Sequence, residues 1–195
     1  MEKEKIQIRA AAMGDAKALL DIYAPYVETT AITFEHQAPS IEVFSDRMSG
    51  VLGKYPYLIA ELDGEILGYA YAGQFKERAA YNWAVEVSVY VKRGKKRMGI
   101  GRRLYEALEK ILAAQNILNL YACIAFPERE DDEYLSRDSV LFHERLGFQL
   151  IGEFHQCGYK FNRWYNMVWM EKHIGTHLED QPAARAFDEV KKAFL

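Results

Sequence analysis

The hydrophobic pattern in the middle of the chain predicts a strand, a loop and a helix. Residues 84–91 alternate between apolar and polar with a period of two, which is typical of a strand whose two faces differ. From Leu104 the apolar residues recur at spacings of four, seven and eight, which defines one face of a helix. Residues 118–124 alternate again as a strand. Because a helix crosses between these two strands, we expect them to pair in parallel.

The N-terminal half contains further predicted elements. A short strand at residues 6–8 precedes a helix that we expect to break near Pro25, and a second helix contains Phe44. Two apolar strands then meet at Asp63 and Gly64, a dipeptide that is a strong hairpin signal. One strand followed by two helices and a hairpin indicates an α/β chain.

The C-terminal half shows the same kinds of pattern. An acidic segment at 128–134 is expected to be a mobile, solvated surface loop. A short helix at 139–146 ends at Gly147, and strands are predicted at 148–155 and 164–171. We therefore expect one domain over residues 1–172. Residues 173–195 form a C-terminal appendage, weakly amphipathic and helical, that packs on the domain or on a partner.

Composition narrows the classes of protein. The chain has 195 residues, of which 50% are hydrophobic and 27% charged, enough for one substantial core. A net charge of −3 gives no reason to expect nucleic acid or an anionic membrane as a partner. Cys123 and Cys157 form no disulfide framework or zinc spacing, and no metal is expected. The N-terminus lacks an apolar signal region and no run reaches membrane-span length, so we expect a cytoplasmic protein.

The loop between the central strand and helix carries the first chemical signal. Residues 92–103 include seven cationic side chains and no acidic one, and they lead into a helix N-terminus. Unpaired N–H groups and the positive end of a helix dipole bind phosphate there, and glycines allow close approach. A P-loop is excluded because Ile100 and Gly101 stand where Lys and Ser or Thr are needed. A dinucleotide fingerprint is excluded because Leu104 occupies the position of its third glycine.

The sequence from Lys96 to Gly101 resembles the Gln/Arg-x-x-Gly-x-Gly/Ala motif of the GNAT superfamily of acetyl-CoA-dependent N-acetyltransferases. The resemblance implies a mixed central β-sheet flanked by helices and splayed at the acetyl-CoA site. It also implies that the loop wraps the pyrophosphate of coenzyme A, while the backbone of the preceding strand polarises the thioester. The cofactor-binding residues implied are Val87, Ser88, Val89, Gly94, Lys95, Lys96, Arg97, Met98, Gly99, Ile100, Gly101 and Arg102.

Further blocks narrow the resemblance to the phosphinothricin and methionine sulfoximine N-acetyltransferase group. They lie at residues 22–35, 75–81, 83–91, 141–148 and 158–164, in the order found in that group. The resemblance implies a small amino-acid-like amine as acceptor. It places five residues around that acceptor, namely Phe34, Glu35, Lys76, Arg78 and Tyr81. It also implies a homodimer formed through the hairpin near Lys160 and Trp164.

Acetyl transfer requires a base for the amine and an acid for the departing thiolate. Glu86 is the candidate base, because a carboxylate on an interior strand can be tuned for proton removal. Ser136, Ser139 and Tyr134 remain alternative acids. His143 also matches a family position, although a histidine beside an apolar helix face is more often structural. With no cysteine in the central strand, direct transfer in a ternary complex is expected.

Two alternatives to this interpretation remain. The acceptor could be another small amine or a protein N-terminus, which a roomy, exposed groove would favour. A non-catalytic sensor could bind acyl-CoA through the same loop. Glu86 argues against the sensor, since binding coenzyme A requires no base on that strand.

Overall fold

The computed structural model describes residues 6–95 and 98–194, and it contains a seven-stranded sheet in the order β1-β2-β3-β4-β5-β7-β6. Strands β4 and β5 are parallel, and the other neighbouring strands are antiparallel. The predicted mixed sheet flanked by helices is confirmed. The elements are β1 (Gln7–Ala10), α1 (Ala16–Thr29), α2 (Ile41–Val51), β2 (Tyr57–Leu62), β3 (Glu65–Gln74), β4 (Ala84–Val91), α3 (Ile100–Ala114), β5 (Asn119–Phe126), α4 (Asp138–Arg145), β6 (Gln149–Lys160), β7 (Arg163–His173) and α5 (Phe187–Val190).

Strands β4 and β5 diverge at the centre of the sheet. They pair at three positions, the last of which joins Glu86 to Tyr121. Beyond that pair, β4 continues to Val91 and β5 to Phe126 without pairing to each other, which produces the expected splay. The register of β4 against β3 is unbroken, so the divergence of β4 from β5, and not a bulge in β4, opens the sheet.

Helices cover both faces of the sheet. One face of α3, centred on Leu104 and Leu108, packs against Val85 and Val87. Helices α1 and α2 cover the opposite face, where they pack around Tyr69. Because successive strand residues point to opposite faces, Glu86 lies on the α1 and α2 side while its valine neighbours lie on the α3 side.

The sequence predicts a break in α1 near Pro25, but the helix does not break there. It continues to Thr29, because buried residues on both sides of the proline hold the apolar face on the sheet. The last carbonyls are satisfied by side chains: the Thr29 hydroxyl donates to the Pro25 carbonyl at 2.7 Å, and the Thr30 hydroxyl donates to the Tyr26 carbonyl at 2.6 Å. Tertiary packing of the apolar face therefore offsets the N–H donor that Pro25 lacks, and the two hydroxyls cap the C-terminal end of the helix.

Strand β6 extends five residues beyond its predicted end at 155, to Lys160. Its pairing with β7 shifts between Phe154 and Gly158, and Gln156 there has a φ of 48°. The buried Asn166 side chain accepts a hydrogen bond from the Gln156 N–H at 2.8 Å. This irregularity interrupts the alternation of apolar and polar residues, so the sequence pattern predicted a shorter strand than the structure shows.

The C-terminal tail packs on the domain. Phe187 and Val190 are buried in the same core as α3. The buried amide of Gln115 donates to the Lys54 carbonyl at 2.8 Å and to the Arg185 carbonyl at 2.7 Å. Of the two expected positions for the tail, the structure shows contact with the domain itself. No helix in the described ranges has the length and apolarity needed to cross a membrane.

Candidate active site

The divergence of β4 and β5 opens a cleft of about 650 Å³. Its walls come from β4, from the first turn of α3, from β5 and from α4, and Tyr26 of α1 and Ile32 also line it. The structure brings most of the predicted cofactor-binding residues together in this cleft. Those that line it are Val87, Ser88, Val89, Lys95, Gly99, Ile100, Gly101 and Arg102.

The first turn of α3 presents backbone donors to the cleft. Gly99 precedes the helix with a φ of 75°, a left-handed conformation that favours glycine. The first bond of the helix runs from the Arg103 N–H to the Gly99 carbonyl at 3.0 Å, so the N–H groups before it have no intrahelical acceptor. A Cβ at Gly101 would lie 3.1 Å from the Phe142 ring, so glycine permits the close approach of α4.

The remaining predicted cofactor-binding residues belong to the loop before α3, and not all of them face the cleft. The Lys95 ammonium lies 3.4 Å from Glu65, which also binds Lys92 at 2.7 Å. Gly94 and Met98 belong to the loop but do not line the cleft, and Met98 is exposed. Lys96 and Arg97, which were predicted to bind the cofactor, lie outside the described residues.

Glu86 lies at the point where the two strands separate. Burial raises the pKa of its carboxyl, and the nearby Lys76 ammonium acts in the opposite direction. Cys123, on β5, lines the cleft beside it. Burial, followed by the negative charge of Glu86, raises the pKa of the Cys123 thiol to about 11. At neutral pH Cys123 is therefore a thiol, which is a poor nucleophile.

The three candidate acids separate into two groups. Ser136 and Ser139 line the cleft. Tyr134 does not; its ring stacks on Phe161, with centroids 4.2 Å apart. The geometry favours the two serines over the tyrosine as groups that could reach a ligand in the cleft.

A buried pair that the sequence analysis underrated, Tyr105 and His143, also lines the cleft. The His143 Nδ1–H donates to the Ser139 carbonyl at 2.7 Å, because a carbonyl can only accept. Nε2 then accepts from the Tyr105 hydroxyl at 2.8 Å. Burial lowers the pKa of His143, which favours this neutral tautomer. The pair joins α3 to α4. In the sequence, the family block at residues 141–148, which contains His143, indicated this position.

The predicted acceptor residues fall into two separate places. Lys76, Arg78 and Tyr81 line a second cavity of about 660 Å³ together with Phe75. Phe75 stacks on Tyr121, the residue paired with Glu86, with centroids 4.3 Å apart. The Lys76 ammonium lies 5.0 Å from the Phe75 ring centroid. These contacts place a cationic cavity beside the candidate base.

Phe34 and Glu35 line neither the cleft nor that cavity, so neither of these two cavities contains all five predicted acceptor residues. Glu35 pairs with Arg47 of α2 at 2.5 Å through one carboxylate oxygen, and its other oxygen is buried with no hydrogen-bond partner among the described residues. The negative charges of Glu86 and Glu35 both contribute to the raised pKa of Tyr71, although burial is the main cause, so both carboxylates lie within electrostatic range of that tyrosine.

The acidic segment is solvent-exposed at residues 128–131 and 133, as predicted, but it is anchored at Asp132. The Asp132 carboxylate accepts hydrogen bonds from the Tyr134 and Leu135 N–H groups at 2.9 and 3.0 Å. It also pairs with Arg163 at 3.1 Å. Leu135 is buried, so the segment is joined to β7 and to the core beneath it.

Comparison with known proteins decides the family. Residues 8–169 match the acetyltransferase (GNAT) domain. The chain belongs to the GNAT family. The resemblance to GNAT acetyltransferases is thereby confirmed, and the protein is an N-acetyltransferase enzyme. The β4–α3 arrangement described above is the part of this GNAT fold that carries the cleft.

Relatives within the GNAT family include enzymes of the expected group. The chain is 33% identical over 171 residues to a phosphinothricin N-acetyltransferase of Streptomyces viridochromogenes, covering 88% of this chain and 89% of the relative. It is 32% identical over 169 residues to an L-methionine sulfoximine/L-methionine sulfone acetyltransferase of Pseudomonas paraeruginosa, covering 86% and 94%. The crystal structure of a phosphinothricin acetyltransferase from Sinorhizobium meliloti in complex with AcCoA is similar, with a TM-score of 0.82, 29% identity and coverage of 95% and 97%.

Proposed function

We propose that this GNAT enzyme transfers an acetyl group from acetyl-CoA to the amino group of a small amino-acid-like acceptor of the phosphinothricin, methionine sulfoximine or methionine sulfone type. The observation that carries the proposal is the position of Glu86: it ends the β4–β5 pairing, its neighbour Val87 lines the cleft, and Lys76 of the cationic cavity acts on the pKa of its carboxyl. The names of the relatives support the acceptor class.

The residues of the cleft fit acetyl-CoA. The unpaired N–H groups of the first turn of α3 suit a pyrophosphate, and Lys95 and Arg102 supply positive charge beside them. The remaining length of the cleft, between β4 and β5, suits the pantetheine arm. This arrangement brings the thioester toward Glu86.

Glu86 then acts as the base for the acceptor amine, directly or through water. Its raised pKa makes it a better proton acceptor than an ordinary surface carboxylate. Because β4 and β5 do not pair beyond Glu86, N–H groups of residues 87–89 on that side are free to stabilise the oxyanion. Ser136 and Ser139 remain the candidates for protonating the thiolate. In the cavity, Arg78 offers a bidentate contact to an acceptor carboxylate, and Lys76 offers a second cation.

Removing the charge of Lys76 should alter the pH dependence of the reaction. The Lys76 ammonium opposes the rise in the Glu86 pKa, so Lys76→Met should raise that pKa further. Since the base must be deprotonated, the acid limb of the kcat/KM profile should move to higher pH. Lys76→Arg keeps the positive charge and is the matched control. An unmoved limb in Lys76→Met would contradict the assignment of Glu86.

Direct transfer predicts that Cys123 is dispensable, although it lies in the cleft. Cys123→Ala should leave turnover nearly unchanged, because the neutral thiol does not carry the acetyl group. Mass spectrometry after incubation with acetyl-CoA alone checks the same point, with Cys157→Ala as the matched variant. An acetyl group on Cys123 that an amine then removes would replace direct transfer by a covalent intermediate.

We also propose a homodimer through β6 and β7. Strand β6 is an edge of the sheet, and an unprotected apolar edge favours pairing with another chain. Five large apolar side chains there are between 46% and 55% exposed, namely Leu150, Ile151, Phe154, Tyr159 and Trp164. Sedimentation equilibrium of the wild type and of Trp164→Arg tests the proposal. A monomeric wild type at micromolar concentration would refute it.

The function is tested by thiol release from acetyl-CoA across a panel of amines. The panel holds phosphinothricin, methionine sulfoximine, methionine sulfone, ordinary amino acids, polyamines and short peptides. Release confined to the first three supports the proposal. Release with other amines or peptides alone would keep the acetyltransferase and overturn the acceptor class. Binding of acetyl-CoA without any turnover would favour a sensor.

A further inference from the structure

Lys160, the last residue of β6, is a buried lysine. It is only 2% exposed, and lysine is almost never fully buried unless it is paired. Its ammonium donates to the Val27 carbonyl at 2.7 Å and to the Thr33 carbonyl at 2.8 Å. The Val27 carbonyl belongs to the last turn of α1, where carbonyls lack intrahelical donors and a cation is favoured. Lys160 therefore joins the end of α1 to the chain that follows it.

The two carbonyls that Lys160 binds each follow a residue of the cleft wall. Tyr26 and Ile32 line the cleft, and among the described residues they are its only lining residues from the chain before β4. Val27 comes directly after Tyr26, and Thr33 comes directly after Ile32. One ammonium is thus bonded beside both lining residues. Residues 26–33 are here called the wall segment.

The wall segment crosses the gap between the separated strands. On the β4 side, the Tyr26 hydroxyl donates to the Val91 carbonyl at 2.5 Å, and its ring lies edge-on to Tyr90 with centroids 5.5 Å apart. On the β5 side, Ile32 packs against a buried cluster that contains Ala125. Val91 and Ala125 lie near the ends of their strands, beyond the last β4–β5 pair. The segment therefore runs from one side of the splay to the other.

Few bonds hold the backbone of the wall segment after α1 ends, because it has no regular secondary structure there. The Ala31 N–H donates to the Tyr134 carbonyl at 3.0 Å, and the Ile32 N–H donates to the Thr30 hydroxyl at 3.3 Å. Among the described residues outside the segment, Lys160 alone bonds to its backbone at both ends. Lys160 therefore fixes the two cleft-lining side chains relative to each other.

We propose that Lys160 is a positioning residue for the acetyl-CoA cleft. Its charge-assisted hydrogen bonds hold Tyr26 and Ile32 as one preformed wall of the part that takes the pantetheine arm. This inference rests on the proposed function, in which acetyl-CoA binds in that cleft with its phosphates at the first turn of α3. Lys160 does not line the cleft, so it acts through the wall segment.

The effect should differ between the two ends of the coenzyme. A wall that is already ordered loses little conformational entropy when the ligand binds, whereas a mobile wall must be ordered at that step. The pantetheine arm would lie against this wall, but the phosphates would bind at α3, away from the bonds of Lys160. Loss of the ammonium should therefore weaken acetyl-CoA and leave its nucleotide end unaffected. A lysine that supports only the overall fold would weaken both equally.

The test compares Lys160→Met with Lys172→Met. Methionine keeps an unbranched side chain without the ammonium. Lys172 is the matched control, because it is a partly buried lysine on the adjacent strand β7 whose ammonium pairs with Glu109 at 2.8 Å. Both variants lose the polar contacts of a lysine, but only Lys160→Met loses contacts to the wall segment.

In Lys160→Met we expect the acetyl-CoA Kd, measured by calorimetry, to rise about tenfold, the cost of ordering a few side chains with their backbone. The Kd of the adenosine bisphosphate portion of coenzyme A, which lacks the pantetheine arm, should not change. Neither Kd should change in Lys172→Met. An unchanged acetyl-CoA Kd in Lys160→Met, or an equal weakening of both ligands, would overturn the proposal.

Hydrogen exchange of the Ala31 and Ile32 amides tests the same role without turnover. In the unliganded enzyme, exchange should be faster in Lys160→Met than in the wild type or in Lys172→Met. Equal exchange in the two variants would refute the role of Lys160. In the wild type, acetyl-CoA should slow these amides and the adenosine bisphosphate portion should not, a comparison that requires no variant to fold. Binding of acetyl-CoA without such slowing would show that the wall segment is not part of its site.

These measurements also separate the inference from the proposed acceptor class, because no amine enters them. A wild type that acetylates no small amine, with acetyl-CoA weakened only in Lys160→Met, would overturn the acceptor class and support the inference. A wild type that acetylates phosphinothricin, with equal acetyl-CoA affinity in both variants, would support the proposed function and overturn the inference.

Discussion

Glu86→Gln is expected to lower kcat by about 10²–10⁴-fold, the contribution typical of a positioned general base. Glutamine preserves the shape of the side chain and removes its capacity to accept the proton of the amine. The variant should bind acetyl-CoA as the wild type does, because the phosphate-binding donors lie on α3 and not on Glu86. Loss of turnover with unchanged cofactor affinity is the signature of a group acting in the chemical step.

The same substitution should not reduce stability. Burial raises the pKa of Glu86 in the folded protein above its value in the unfolded chain. A carboxyl shifted in that direction contributes stability only at low pH, and this contribution is lost as the pH rises through the folded pKa. At neutral pH the ionised carboxylate therefore lowers the free energy of unfolding, and glutamine removes this destabilisation. The unfolding midpoint of Glu86→Gln should equal or exceed that of the wild type.

Turnover, the acetyl-CoA Kd and the denaturation midpoint together check this prediction. Glu61→Gln is the matched control, because Glu61 is a half-buried carboxylate of strand β2 that pairs with Arg9 and lies outside the cleft lining. It should keep turnover. A Glu86→Gln variant that is less stable and binds acetyl-CoA more weakly would show that Glu86 is a structural carboxylate.

Phe187→Ala is expected to lower the free energy of unfolding by about 3–5 kcal/mol, the usual cost of truncating a buried phenylalanine. Phe187 is 3% exposed and packs in the core beside α3. Its N–H also donates to the Lys54 carbonyl at 2.9 Å. Truncation would leave a cavity under the tail and loosen the contacts that Gln115 makes with it.

Phe194→Ala provides the comparison within the same tail. Phe194 is 40% exposed, so its truncation should change the unfolding free energy by no more than about 0.5 kcal/mol, as for most surface positions. Urea denaturation of both variants measures the difference. A small, equal effect in the two variants would show that the packing of residues 173–195 contributes little to stability. The expected difference would make the tail part of one cooperative unit.

Several local features of the fold could be predicted because a few adjacent residues determine them. Asp63 and Gly64 form the predicted hairpin turn, both with positive φ, at 51° and 79°. Gly147 ends α4 as predicted, with a φ of 89° and N–H groups of residues 147 and 148 bonded back to the helix. The period of apolar residues likewise located β4, α3 and β5.

Pro25 and the acidic segment show where such rules fail. A proline inside a helix predicts a break, but the contacts of α1 with the sheet, which are distant in sequence, outweigh the local cost. An acidic run predicts solvation, but Asp132 meets Arg163, thirty-one residues away. In both cases the contacting residues are distant in sequence, so the local pattern does not reveal them.

The sequence by itself determined the order of the elements, the glycine loop before α3, the candidate base Glu86 and the family, since periodicity, glycine spacing and motif blocks are local properties of the chain. Only the tertiary structure decided that β4 and β5 separate after Glu86 and that Phe34 and Glu35 lie apart from the Lys76 cavity. It also decided that the buried Lys160 ammonium binds the carbonyls of Val27 and Thr33 and that the tail packs in the core beside α3. These features depend on contacts between residues far apart in sequence, and their free energy arises only when the whole sheet is assembled.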